Sequence, residues 1–491
     1  MVYSRRMRLD PDTCYDALLS RNRRFDGWFF VGVATTGVYC RPVCPVKPPK
    51  AQNCSYYPTA AAAEKAGFRP CMRCRPELAP GHGLLDLSGN LADAAATLIE
   101  DGFLNAHSVD ALAQRVGVTE RHLRRIFGAQ FGVSPVEFAQ THRLLMAKRL
   151  LTDTALPVAV VASTAGFSSV RRFNDLFLQR YGLNPLRLRK GARAPADGDM
   201  TFPLPYRPPF AWANLMRFLA QRQIDGVERV DAPGYARVVE LPDRNRGADG
   251  RVTGWVSVAH VPQRFALAVT VSPALTPVVP AVLARIRRLF DLDSRPDVID
   301  AHLGELASGS PGLRVPGAFD GVEIAIRAIA GERLAATHAG TPVLARIAER
   351  FGTSIESAPP GLTHALPSAA TLAALPPAAL ETIGIARDAS QAIVSLARAV
   401  DDGTLALEPM APLDTTLDAL RALPGFDERA VQYVAMRAMA WPNAFPADDA
   451  LLAAPTDPAR VPSSAPHTAR WAPWRAYAAL HVWRLHGDVL R

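Results

Sequence analysis

The chain has 491 residues, 49% of them hydrophobic and 21% charged, with a net charge of +9. That length suits about three domains at roughly 150 residues each, and the composition excludes a chain that is disordered throughout. It holds no run of ~18 apolar residues, so no membrane contact is expected, and the opening MVYSRRMRLDPDTCYD lacks the apolar stretch of a secretory signal.

Six cysteines are too few for a disulfide scaffold and are expected to face a reducing cytosol. Residues 1–200 hold 27 Lys and Arg against 17 Asp and Glu, whereas the remainder holds 28 against 29. All the basic excess therefore sits in the first two fifths. A basic block of that kind suits a polyanion, most simply nucleic acid, although a soluble basic surface has the same charge.

In chain order, the first feature is a pair of cysteine pairs. Cys40-x3-Cys44 and Cys71-x2-Cys74 can bring four thiolates round one tetrahedral zinc ion, while Cys14 and Cys54 stand apart. Spacing alone does not separate a structural zinc site from a reactive one. A turn-rich stretch, Pro76 to Gly83, ends this segment.

Two similar helical units follow. Leu123, Ile126 and Phe127 have the spacing of one inward helix face, and Phe173, Leu176 and Phe177 repeat it. Turns are expected at Gly117 and Gly166, with Thr119 and Ser168 or Ser169 as helix caps. Arg121, His122, Arg124 and Arg125 are left on the outward face of the first unit, and Arg171 and Arg172 on that of the second. Such a face can enter a major groove or simply be solvated. A longer helix, roughly Pro135 to Leu151, joins the units.

Gly191 to Asp199 reads as a small-residue linker. Beyond it, ARVVEL, RVTGWVSVAHV and RFALAVTV read as strands within residues 230–272. From about residue 280, helical spacing dominates. Leu423-Pro424-Gly425-Phe426-Asp427 forms a short hairpin between two amphipathic helices, whose backbone N–H groups, notably near Gly425, can meet a phosphate. Phe445-Pro446-Ala447-Asp448-Asp449 precedes another helix, where an acidic pair can also serve as a cap.

Three resemblances rest on these residues. Thr35 to Cys44, followed by Gly67-Phe68-Arg69-Pro70-Cys71-x-x-Cys74, resembles the N-terminal domain of the Ada alkylation-response regulators over about residues 10–78. The resemblance implies one zinc ion on Cys40, Cys44, Cys71 and Cys74. It also implies that Cys40 accepts a methyl group from a DNA methylphosphotriester, once per molecule, in a reaction that needs no general base. Methylation takes the site's formal charge from −2 to −1, which favours DNA binding. Arg41, Arg69 and Arg73 flank the ligands and are candidates to hold phosphates.

Residues 86–190 resemble an AraC-type DNA-binding domain, through Arg143-Leu144-x-x-Ala147-x-x-Leu150-Leu151 and Ala165-Gly166-Phe167-Ser168-Ser169. Residues 200–488 resemble the AlkA-type 3-methyladenine DNA glycosylases of the helix-hairpin-helix superfamily. The matches there are Phe210 to Phe218, Arg287 to Asp291, Pro311 to Gly317, the hairpin, Phe445 to Asp449, and Trp471-x-Pro473-Trp474-Arg475-x-Tyr477-Ala478.

The last resemblance implies Asp449 as the catalytic carboxylate and places Phe218, Tyr433 and Trp483 on the base pocket. It implies hydrolysis of an N-alkylated base flipped out of the duplex, with the carboxylate stabilising an oxocarbenium-like sugar. Asp427, Arg429, Ala450 and Arg333 depart from the family pattern. The Pro-Cys-His-Arg site of full Ada proteins is absent from the sequence.

The expected fold is multidomain α+β. A small four-cysteine zinc domain occupies residues 1–80, an all-α double helix-turn-helix domain 86–192, an α+β subdomain 200–285 and a helix-hairpin-helix bundle 286–491. The expected protein is a cytoplasmic, nucleoid-associated bacterial monomer that joins alkylation repair to transcription control. Its expected partners are alkylated double-stranded DNA, a promoter operator and RNA polymerase. The rival reading is a regulator with a structural zinc site and an inactive glycosylase-like domain.

Overall fold

The computed structural model describes residues 10–81, 91–190, 200–231, 234–243, 250–331, 340–409, 413–446 and 468–489. Backbone contacts divide the chain into two compact units. One comprises residues 1–208, 261–284 and 292–294, the other residues 209–260, 285–291 and 295–491. The fold is multidomain α+β, as expected from the sequence.

In the first unit, α1 (Pro11–Leu19) starts where Asp10 accepts the Thr13 N–H at 2.9 Å and proline occupies the first turn. It precedes β1 (Phe30–Val33), β2 (Val38–Cys40), β3 (Cys54–Tyr57), α2 (Ala60–Lys65) and β4 (Arg69–Pro70). The strand order is β3-β1-β2-β4. β1 is antiparallel to both its neighbours and β4 is parallel to β2.

All four residues of β1 are buried, so the strand is covered on both faces and shows no alternation. Val31 and Val33 pack with Cys14 and Leu18 of α1, while Phe30 packs with Tyr39, Ala60 and Ala63. Gly32 leaves the space that the Phe68 and Tyr57 rings occupy, since a Cβ there would lie 2.8 Å from each.

The helices α3 (Leu91–Glu100), α4 (Val109–Arg115), α5 (Glu120–Phe131), α6 (Pro135–Asp153), α7 (Val158–Thr164), α8 (Val170–Tyr181) and α9 (Pro185–Lys190) follow. Thr119 caps α5 and Ser169 caps α8, each accepting a backbone N–H at 3.3 Å. Ser134 and Glu137 form a reciprocal capping box on α6, which runs slightly further than its spacing suggests. Leu123, Phe127, Phe173 and Phe177 are fully buried, whereas Ile126 and Leu176 are half-buried. Leu145 of α6 belongs to the same cluster as Phe30 and Tyr39, so the sheet and the long helix share a core.

Next come β5 (Met200–Pro205), α10 (Trp212–Ala220), β6 (Glu228–Asp231), β7 (Gly234–Pro242), β8 (Arg251–Val261) and β9 (Ala266–Val271). β5 pairs antiparallel with β9, and β7 pairs antiparallel with both β6 and β8. The three strands read from the sequence are β7, β8 and β9.

The remaining helices are α11 (Val279–Leu289), α12 (Pro296–Leu303), α13 (Glu305–Ser308), α14 (Gly321–Ile329), α15 (Gly340–Phe351), α16 (Ala369–Ala373), α17 (Pro377–Glu381), α18 (Arg387–Asp401), α19 (Leu413–Ala422), α20 (Glu428–Arg437) and α21 (Arg475–Val489). Within the second unit α14 packs against α15, α18 and α20. Arg237 of β7 lies between Glu228 (3.4 Å) and Glu323 of α14 (3.1 Å), and Arg327 reaches Glu323 at 3.3 Å. These buried charges are satisfied by one another, which a buried ionic group requires. Among the described residues no helix is long and apolar enough to cross a membrane.

Candidate functional site

The sheet register builds the cysteine site. β2 and β4 run side by side with Tyr39 opposite Pro70, so Cys40 and Cys71 leave adjacent strands together. The Cys71 N–H donates to the Tyr39 carbonyl at 3.0 Å and keeps the two exits parallel. A tight turn closed by the Cys44 N–H on the Arg41 carbonyl (3.1 Å) brings Cys44 back. The Sγ atoms of Cys40, Cys44, Cys71 and Cys74 all lie within 4.8 Å of one another, and all four residues are buried.

Tetrahedral zinc–thiolate bonds of ~2.3 Å need the sulfurs about 3.8 Å apart, and this donor set fits. Hydrogen bonding with Cys44, Cys71 and Cys74, and then burial, pushes the Cys40 thiol up, while the same sulfur contacts pull Cys71 down. Four buried thiolate donors at this separation make the cluster a zinc site. The Arg41 backbone N–H meets the Cys74 Sγ at 3.4 Å.

The flanking arginines divide. Arg69 and Arg73 are exposed. Arg41 corrects the sequence reading: it is buried, pairs through two nitrogens with Asp26, and donates to the Cys74 carbonyl at 3.1 Å. Burial opposes its charge, but Asp26 more than offsets this and holds Arg41 above its ordinary range. A cation beside two cysteines reads as a phosphate contact until its buried partner is seen, and Asp26 belongs to no motif.

Arg121, His122, Arg124 and Arg125 on α5, and Arg171 and Arg172 on α8, were all expected to face outward. All six are exposed, and the side chains of His122 and Arg125 lie 3.4 Å apart. Arg124 is tied to Glu120 one turn earlier at 2.6 Å. Sequence reasoning also missed Glu64 of α2, a buried carboxylate that accepts from the Tyr39 hydroxyl (3.1 Å) and from Thr141 of α6 (3.0 Å). Nearby, Lys148 of α6 meets Glu77 at 2.6 Å with both side chains buried.

In the second unit the three expected pocket aromatics are buried. Phe218 and Trp483 meet edge to face with centroids 5.2 Å apart. The Arg222 guanidinium lies 3.8 Å from the Phe218 centroid, and that of Arg437 lies 5.0 Å from Phe218 and 5.7 Å from Tyr433. Arg437 is itself held by the Pro316 and Gly317 carbonyls at 2.8 and 3.0 Å. The faces of Phe218 and Tyr433 carry the chain's own cations, which attract a ring face as an alkylated base would.

At the hairpin, Gly425 has φ +85°, with Ala392 and Ile329 against the position of a Cβ. Asp427 caps α20 by accepting the Ala430 N–H at 2.7 Å and pairs with Arg429 at 3.0 Å. Its departure from the family pattern is therefore a helix cap whose charge is matched. Asp449, Ala450 and Arg333 lie outside the described residues.

A four-thiolate metal centre, two capped helix-turn-helix units and a helix-hairpin-helix bundle define a nucleic-acid-acting regulator joined to a repair-enzyme fold. Three family models match in series: the metal binding domain of Ada over residues 13–77, a helix-turn-helix domain over 112–191 and the AlkA N-terminal domain over 201–320. The chain is 35% identical to a probable bifunctional transcriptional activator/DNA repair enzyme AlkA of Mycobacterium tuberculosis, across 96% of each chain. It is 32% identical to DNA-3-methyladenine glycosylase 2 of Escherichia coli over 58% of this chain and 98% of that one. It is also 33% identical to the Escherichia coli bifunctional transcriptional activator/DNA repair enzyme Ada, over 37% of this chain and 50% of that one. The chain belongs to the family of bifunctional transcriptional activator/DNA repair enzymes AlkA.

Proposed function

We propose that this chain repairs alkylated DNA with one half and reports alkylation to transcription with the other. In the first half, the Cys40 thiolate attacks the methyl carbon of a DNA methylphosphotriester. The S–C bond forms as the C–O bond breaks, and the electron pair stays on the phosphate oxygen to restore a diester. No proton moves.

A bound zinc ion supplies the charge that keeps the cysteines as thiolates at neutral pH. Cys40 is the acceptor that the resemblance to the Ada regulators implies, and the observation that carries the reading is the buried four-sulfur cluster within the match to the metal binding domain of Ada. Four thiolates with one divalent cation carry a formal charge of −2, and one methylation leaves −1. The lost charge lowers repulsion from phosphates, so DNA affinity rises. The basic faces of α5 and α8 then read the operator, with Arg69 and Arg73 on phosphates. RNA polymerase as the responding partner and a monomeric state belong to the same proposal, as do the four domain spans given above.

In the second half, Asp449 stabilises the oxocarbenium-like sugar while the bond to a cationic alkylated base breaks. The electron pair leaves with the base, and water completes the hydrolysis. Of the two departures behind the rival reading of an inactive domain, Asp427 pairs with Arg429 and caps α20, while Arg333 lies outside the described residues.

The test is release of 3-methyladenine from methylated duplex DNA by the parent chain and by Asp449→Asn. The variant is expected to lose roughly 10²-fold or more in rate. Parental release by the variant, or no release by the parent, overturns the glycosylase assignment. Mass spectrometry after incubation with methylphosphotriester DNA is expected to find one added methyl on Cys40. An unmodified Cys40 overturns the sensor assignment.

A further inference from the structure

Arg207 lies beyond the small-residue linker, in sequence that resembles the glycosylase family, yet its guanidinium is fully buried in the first unit. It donates to three backbone carbonyls: Asp26 at 3.1 Å, Asp293 at 2.8 Å and Gly81 at 2.6 Å. The convergence is reinforced by the Gly81 N–H, which donates to the Asp293 carboxylate at 2.7 Å. Gly27 sits in the same crossing. It has φ +78°, and a Cβ there would lie 1.9 Å from the Pro80 carbonyl.

The residue whose carbonyl Arg207 grips is the one whose carboxylate grips Arg41. Asp26 accepts from Arg41 Nε at 2.8 Å and from a second guanidinium nitrogen. Arg41 in turn reaches Cys74 twice, through its guanidinium on the carbonyl and its own N–H on Sγ. We infer that Asp26 and Arg207 are positioning residues of the thiolate site, forming a buried line Arg207–Asp26–Arg41–Cys74 that sets where the fourth sulfur stands.

The physical argument is that of any outer shell around a metal. A ligand's own rotamers leave it free to tilt, and the groups that hold its backbone remove that freedom, at roughly 10–100-fold in metal affinity when they are lost. Here the outer shell extends one link further than usual. Arg41 is aimed by a carboxylate whose own loop is fixed by a guanidinium from distant sequence. The three bonds come from three different nitrogens of one planar fork, a spread that the single nitrogen of lysine does not reproduce.

The inference deepens the reading of the first half and rests on it only for the link to methyl acceptance. The test uses the full chain loaded with zinc. Release of the metal to a chromophoric chelator is timed well below the melting temperature for the parent, Asp26→Asn, Arg207→Lys and the double variant. Arg24→Gln, an exposed neighbour of the same loop, serves as control. The cobalt(II)-substituted forms supply absorption spectra of the thiolate site.

Asp26→Asn and Arg207→Lys are each expected to release zinc roughly 10-fold or more faster and to alter the cobalt bands. The double variant is expected to be no faster than the faster single one, because both cut one line, and Arg24→Gln is expected to match the parent. Asp26→Glu, which keeps the carboxylate, is expected to recover part of the retention. Parental release and an unchanged spectrum in Asp26→Asn overturn the inference, even if Arg207→Lys does not fold. A parent that holds zinc but takes no methyl overturns the function proposed above and leaves this inference standing.

Discussion

Replacing Glu64 by glutamine should make the protein more stable at pH 8 and leave it nearly unchanged at pH 5. Glu64 is 5% exposed, and its two oxygens take the Tyr39 and Thr141 hydroxyls. Arg180 of α8 is 3.7 Å away and partly exposed. Burial outweighs these partners and pushes the carboxyl up from 4.5 to about 7.

The sign follows from proton counting. Between those two values the folded chain binds more protons than the unfolded one, so stability falls as pH rises through the interval. Below about 4.5 the penalty is absent, and above about 7 it is complete. The gap is worth ~3 kcal/mol at about 1.36 kcal/mol per pH unit. Glutamine keeps the shape and one acceptor and removes the charge, while giving up one of the two hydroxyl acceptors at ~1 kcal/mol.

The net gain at pH 8 is about 2 kcal/mol, or roughly 4–8 °C in Tm for a unit of this size. Thermal unfolding of the zinc-loaded chain at both pH values measures it. A variant that melts below the parent at pH 8, or one that retains the parent's loss of stability between pH 5 and 8, refutes the reasoning.

Lys148→Met strands part of the Glu77 charge in a buried site and is expected to cost about 3 kcal/mol, read as a lower urea midpoint. Burial would raise Glu77, but Lys148 and Arg75 overcome it and hold the carboxyl below its usual range. That contribution is therefore present above pH 4.5 and disappears as acid drives the pH lower, so the parent and the variant should converge in acid. Asp427→Ala removes the cap of α20 and is expected to cost about 1 kcal/mol in the same assay. An unchanged midpoint would mean that another group caps the helix.

Much of the architecture was legible. The cysteine spacing survives as a compact four-sulfur cluster, and Thr119, Ser169 and the glycine turns stand where helix-turn-helix spacing puts them. β7, β8 and β9 were visible as apolar runs. β1 and β3 were not: β1 is covered on both sides and β3 is only half-buried, so neither alternates.

The charged residues misled most. Arg41 beside two cysteines resembles a phosphate contact, and Glu64 at the end of an alanine-rich helix resembles a solvated carboxylate. Each has its structural partners far away in sequence, and local pattern holds no trace of them. The same limit applies to Phe218 and Tyr433, whose rings are legible as aromatic but not as already covered by Arg222 and Arg437.

The shared core of Leu145, Phe30 and Tyr39, with Lys148 sealed against Glu77, bears on how this protein can be dissected. A fragment that starts after residue 80 would expose an apolar stripe and hydrate an ammonium that normally never meets solvent. Cloning the helical segment alone, as its tidy sequence boundaries invite, should therefore yield an aggregation-prone piece. Graft designers who want this sensor in another regulator would need to transplant the long helix with it.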